Sequence, residues 1–188
     1  MRKTISTTVA GLVVMLFAAS VVLAAGDTAD RKDFQVLKDV VKSVDRYAQF
    51  SIFDDLNASV KDGVVTLTGK VTMPYKKDDI QRRIAKIDGV RSVRDQVGVL
   101  PVSQFDDELR YRIARAIYGH SNFWNYAIMP NPPIHIVVEH GRVTLTGVVG
   151  SNVDRVLARS LATQFGALKV TNDLKTDAEV QELLEKAQ

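Results

Sequence analysis

From residue 34 onward, apolar side chains fall at Phe34, Leu37, Val40, Val41 and Val44, while Lys38, Lys42 and Arg46 stand between or beyond them. This spacing predicts an amphipathic helix. The period then shifts to two. Leu56 to Val60 and Val65 to Val71 alternate apolar with polar positions, and Asp62-Gly63 between them is a hairpin-turn signal. Helical spacing returns after Pro74, predicting a helix from Tyr75 to Asp88 with Ile80, Ile84 and Ile87 buried and Lys76, Lys77, Arg82, Arg83 and Lys86 solvated. Gly89 stands where a C-cap is expected, and Val90 to Val99 predicts a third strand.

The same order recurs further along. Gln104 to Tyr118 reads as a helix, Ile134 to Val138 and Val143 to Val149 as strands around His140-Gly141, and Ser151 with Asp154 as a capping box. The helix that follows presents Val153, Val156, Leu157 and Leu161, Gly166 closes it, and Leu168 to Leu174 predicts the last strand. The repetition extends to the letters: Gly-Val-Val-Thr-Leu-Thr-Gly at 63–69 returns as Gly-Arg-Val-Thr-Leu-Thr-Gly at 141–147. Two whole folding units are therefore duplicated, each long enough to bury a small core and longer than a solenoid repeat. We place them at residues 34–100 and 104–176. A short connection from Leu100 to Gln104 joins them, and an acidic amphipathic tail fills 177–188 with Val180, Leu183 and Leu184 on its apolar side.

Composition changes this picture at the N-terminus. Arg2 and Lys3, an uncharged stretch from Thr4 to Ala25, and Val22-Leu23-Ala24 have the pattern of a secretory signal peptide over residues 1–25, cleaved after Ala24 or Ala25; a retained membrane anchor is the other reading. The formal charge of +3 includes Arg2 and Lys3, so 23 basic residues remain against 22 acidic ones once they are set aside. Near neutrality gives no basis for a nucleic-acid partner. The absence of cysteine removes both a disulfide framework and a lipid-attachment thiol.

The repeated Gly-x-Val-Thr-Leu-Thr-Gly strand, a following helix, and then Gly89-Val-Arg-Ser-Val93 or Gly166-Ala-Leu-Lys-Val170-Thr-Asn172 resemble the BON domain of bacterial osmotically inducible and nodulation-associated envelope proteins. The resemblance implies an α+β fold of two tandem helix-strand-strand-helix-strand units, each with two helices on a three-stranded mixed sheet. It also implies export to the periplasm or cell envelope, association with phospholipid or an envelope assembly, and no catalysis. Asp95 stands where the second unit has Asn172, and the connection from Ser121 to Pro133 is longer and more aromatic than the module requires.

Candidate chemistry is sparse. His120, His135 and His140 lack ligand spacing, no Gly-x-Ser-x-Gly occurs, and Asp54-Asp55, Asp78-Asp79 and Asp106-Asp107 lie by helix starts or loops. No metal, cofactor or catalytic residue is expected. Binding surfaces are the better prospect. At 100° per residue, Tyr111 and Tyr118 point away from Leu109 with Arg115 beside them, and Phe123, Trp124 and Tyr126 follow directly. This aromatic and cationic patch is the expected contact for anionic phospholipid or an envelope protein; packing between the units is the competing role for the same residues. The basic face of Lys76, Lys77, Arg82, Arg83 and Lys86 is a secondary candidate, and weak self-association is compatible with either. A soluble periplasmic osmotic-stress protein that binds unfolded chains without membrane contact is the alternative function.

Overall fold

A computed structural model describes the backbone of residues 23–186. The leader read at residues 1–25 lies outside that range except for its last three positions. The first unit comprises α1 (Leu23–Asp45), β1 (Asp55–Lys61), β2 (Val64–Val71), α2 (Pro74–Ile84), β3 (Ser92–Asp95) and β4 (Gly98–Val99). The second comprises α3 (Gln104–Tyr118), α4 (Trp124–Ala127), β5 (Ile134–Glu139), β6 (Arg142–Val149), α5 (Asn152–Ala162), β7 (Lys169–Asn172) and β8 (Lys175–Thr176), and α6 (Asp177–Lys186) follows. In each sheet the hairpin partner is antiparallel and the third position is parallel, so the central strands are β2 and β6.

The third strand of each unit is two short strands and not the single run predicted from alternation. Asp95 Oδ1 accepts the N–H of Val97 at 2.9 Å, interrupting the ladder for one step before β4 resumes on β2. β7 and β8 repeat this break along β6.

Two cores result. Val36, Val40 and Val44 of α1 close on Val65, Leu67 and Val71 of β2 and on Ile80 and Ile84 of α2. Leu109, Ile113 and Ile117 of α3 hold the matching places over Val143, Leu145 and Val149 of β6. The apolar stripe of α1 is thus turned from the predicted one: Val36 is buried, Phe34 and Leu37 are partly covered and Val41 is exposed. α5 is turned likewise, burying the small Ala158 and Ala162 and leaving Val153 and Val156 outside. Alanine lets that helix sit close to α3, a role that hydrophobicity alone does not reveal. The Ser151 cap forms as predicted, its hydroxyl accepting the Asp154 N–H at 3.1 Å.

Both hairpins turn through two residues with positive φ, Asp62 (52°) with Gly63 (73°) and His140 (51°) with Gly141 (71°). This is the backbone of a type I′ turn, whose twist matches the flanking strands. Six residues after the turn glycines, Gly69 in β2 and Gly147 in β6 lie against the backbone at the start of the partner strand. A Cβ on Gly147 would fall 1.9 Å from the Pro133 carbonyl oxygen.

The units meet along the outer edge of β5. Ile136 N–H donates to the Ile52 carbonyl at 2.7 Å, His135 Nδ1 donates to the Asp54 carbonyl at 2.6 Å, and Thr146 Oγ1 donates to Asp55 at 2.8 Å. A Lys70–Glu139 ion pair spans the same seam.

Candidate functional site

The aromatic connection divides into an inward and an outward half. Tyr118, in the last turn of α3, donates its hydroxyl to the Ile134 carbonyl at 2.5 Å and accepts the Ile134 N–H at 3.1 Å. Burial pushes its phenol well above its ordinary pKa. The expectation of an outward Tyr118 is therefore corrected: α3 overhangs the edge of β5, and a residue opposite Leu109 near the helix end reaches round to the strand. A 3-10 turn over Ser121–Phe123 then drives Phe123 fully into the second core, and Tyr126 stacks on it with ring centroids 6.0 Å apart. The Tyr126 hydroxyl accepts the Gly150 N–H at 2.8 Å.

Trp124 is different. It opens α4 with 69% of its surface exposed, and Ile128, one helical turn on, is 83% exposed. Met129 adjoins them and is also exposed. Large apolar side chains placed together in solvent carry an unfavourable hydration free energy that a surface normally avoids. Arg115 is exposed in the last turn of α3. Tyr111 is exposed on one side yet meets Phe53 of the first unit edge to face, centroids 5.2 Å apart, so it belongs to the seam between units.

Behind Met129, Pro130, Pro132 and Pro133 line a cleft of about 540 Å³ with Phe50, Ile52 and His135. His135 is oriented there by Asp54 and by Phe50, 5.5 Å from its ring, so the residue has structural partners. No group of three or more His, Cys, Asp or Glu side chains among the described residues could hold a metal ion.

The basic face of α2 separates too. Arg82, Arg83 and Lys86 are exposed, although Arg82 pairs with Asp79 and Arg83 lies 4.8 Å over the Tyr47 ring. Lys77 donates to the Val97 carbonyl at 2.8 Å. Lys76 corrects the prediction outright. Its ammonium is buried, 2.6 Å from Asp54 Oδ2, and it also donates to Thr72 Oγ1 at 2.8 Å. Asp54 accepts four further hydrogen bonds, from the N–H and hydroxyl of Ser51 and of Thr72. Burial alone pushes this carboxyl up, but the donors outweigh it and hold Asp54 below its ordinary pKa.

Two further acids escape sequence reasoning. Asp33 and Asp106 each receive both N–H groups of a type I′ turn, at 2.6 and 2.9 Å in the first unit and at 2.8 Å twice in the second. The signal was present in the repeat, since each acid stands three residues before the first core residue of its helix, Val36 or Leu109.

Taken together, the molecule is a tandem α+β repeat whose polar clusters are occupied in holding turns and strand edges, and whose second unit carries exposed Trp124, Ile128 and Met129 on its long aromatic connection. The model of the BON domain family matches twice, over residues 32–101 and 106–178. The chain belongs to the BON-domain family. Membership points to a non-enzymatic, envelope-associated protein, and no helix among the described residues is long and apolar enough to cross a membrane. No curated protein matches the chain. Among solved structures, it is similar to the C-terminal domain of CdsD, a structural protein of the Type III secretion system of Chlamydia trachomatis, at 17% identity and a TM-score of 0.33, covering 79% of this chain and 69% of that one. A second CdsD structure from the same organism matches at 14% identity and a TM-score of 0.28, covering 78% of this chain and 97% of that one.

Proposed function

We propose that the protein is a non-enzymatic envelope module that docks on an anionic phospholipid surface through the α4 connection of its second unit. The observation that carries this reading is the pairing of Trp124 with Ile128 on one exposed face, with Met129 beside them. An indole favours the headgroup boundary, where its ring is half buried and its N–H remains wet, and an isoleucine beside it adds apolar area. Arg115, and the exposed Arg82, Arg83 and Lys86, add an electrostatic contribution that salt weakens. Export by the leader read at residues 1–25 would deliver the protein to such a surface, with the leader removed.

Flotation with vesicles of phosphatidylglycerol and phosphatidylcholine tests the proposal. Binding is expected on the anionic vesicles and should fall about tenfold or more when Trp124 and Ile128 are both replaced by alanine. Equal binding by this variant sinks the site, and failure of the unaltered protein to float with anionic vesicles at low salt sinks the lipid reading itself.

A further inference from the structure

The two units close the outer edge of their hairpin strand very differently. In β5, the residues whose backbone groups point away from β6 are Ile134, Ile136 and Val138, because the two-residue turn fixes the alternation. All three are engaged: Ile134 by the Tyr118 hydroxyl, Ile136 N–H by the Ile52 carbonyl, and the Val138 carbonyl by Arg110 Nη2 at 2.6 Å. The corresponding residues of β1 are Leu56, Ala58 and Val60. Among the described residues, none of their outward N–H or C=O groups has a hydrogen-bond partner.

The difference lies in α1. Val36, Val40 and Val44 match Leu109, Ile113 and Ile117, so Leu37, Val41 and Asp45 hold the places of Arg110, Ala114 and Tyr118. Leucine offers no donor where arginine closes a carbonyl, and aspartate is too short for the tyrosine's reach. What remains is an overhanging helix with Leu37 partly covered and Val41 51% exposed above an open strand edge. An open edge is a template for strand addition, and natural proteins usually block it.

We infer that β1 and α1 form a docking groove for an extended peptide strand of a partner protein, running antiparallel to β1. The occupant's chemistry follows from the residues that bound it. A single strand added at this edge meets Leu37 and Val41 of α1, whereas a second copy paired antiparallel here would bring its own α1 to the same face of the sheet, against the first. The equivalent edge of β5 is already covered by backbone from another part of the chain, the turn at Ile52. Lys61 and Asp55 stand at opposite ends of β1, so an antiparallel strand fits best with an acidic residue first and a basic residue last. Its second, fourth and sixth residues share the face of Leu56, Ala58 and Val60 beneath Leu37 and Val41, and apolar side chains suit them.

The probe is the synthetic peptide Glu-Val-Thr-Val-Thr-Val-Lys, with Lys-Val-Thr-Val-Thr-Val-Glu as its reversed-charge control. The first is expected to bind with a Kd of roughly 10–100 μM and the control at least about fivefold more weakly. Amide exchange supplies a fingerprint: the N–H groups of Leu56, Ala58 and Val60 slow on addition, while those of Asn57 and Ser59, already bonded to β2, do not. Ala58→Pro removes an outward donor without touching the β1–β2 ladder and should weaken binding at least about tenfold. Should that variant fail to fold, the alternating exchange pattern decides. No binding near 1 mM, protection elsewhere, undiminished binding by folded Ala58→Pro, or those three amides already protected in a dimer of the free protein would each overturn the inference.

Discussion

Asp106 accepts the Gly141 N–H at 2.8 Å, tying the first turn of α3 to the tip of the β5–β6 hairpin. Its other oxygen takes the His140 N–H at 2.8 Å, and Asp33 does the same for Asp62 and Gly63 in the first unit. The two differ in surroundings: Asp106 is fully buried, whereas one Asp33 bond is exposed. Asp106→Ala leaves two turn donors without their acceptor, the Gly141 N–H away from water, and should cost about 2–4 kcal/mol, while Asp33→Ala, where water can substitute, should cost about 1 kcal/mol. Urea denaturation of both variants checks the order, and equal losses would contradict the role assigned to burial.

Asp54 links the pH dependence of the first unit to its ion pair with Lys76. Its carboxyl is held below its ordinary pKa in the folded protein, so the unfolded chain binds the proton first. The stabilisation is therefore complete above the unfolded value, near pH 4, and is lost as pH falls toward and through the lower folded value. Asp79 and Glu179 are also held down, the first chiefly by the Tyr47 hydroxyl and the second chiefly by the Thr176 N–H, and they add to the same acid limb. Asp54→Asn should lower stability at pH 7, leaving Lys76 buried without a counter-charge, and should flatten the loss below about pH 4. Melting curves across that range test it, and an acid limb as steep as before would assign the effect to the other acids.

Periodicity and the repeated heptad were enough to read both hairpins, the helix order and the Ser151 cap, because these depend on contacts near in sequence. The details that periodicity misread depend on partners far away. Lys76 looks like one of five solvated bases on a helix face until the chain brings Asp54 beneath it, 22 residues back. Tyr118 points away from Leu109 on a helical wheel, yet α3 overhangs β5 and Ile134 meets its hydroxyl. Val153 and Val156 are outcompeted for the core by Ala158 and Ala162, since helix approach rewards small side chains where a hydrophobicity scale rewards large ones. Trp124 was legible as particular to the second unit. Its separation from Phe123, its fully buried neighbour, depends on a 3-10 turn that no spacing announced.

Tyr118 and Trp124 should dissociate stability from surface binding. Tyr118→Phe keeps the ring but removes the hydroxyl that serves both the N–H and the C=O of Ile134, leaving two backbone groups at the β5 edge without their partner. The expected loss is about 1–3 kcal/mol, with vesicle binding unchanged for the folded fraction. Trp124→Ala removes a side chain that is mostly in solvent already, so stability should shift by less than about 0.5 kcal/mol while vesicle binding falls. Denaturation and flotation on both variants give four measurements. If folded Tyr118→Phe loses as much vesicle binding as Trp124→Ala, the phenol takes part in the contact surface and its inward role is insufficient. If Trp124→Ala destabilises as much as Tyr118→Phe, the indole is a packing residue and the docking surface must lie elsewhere.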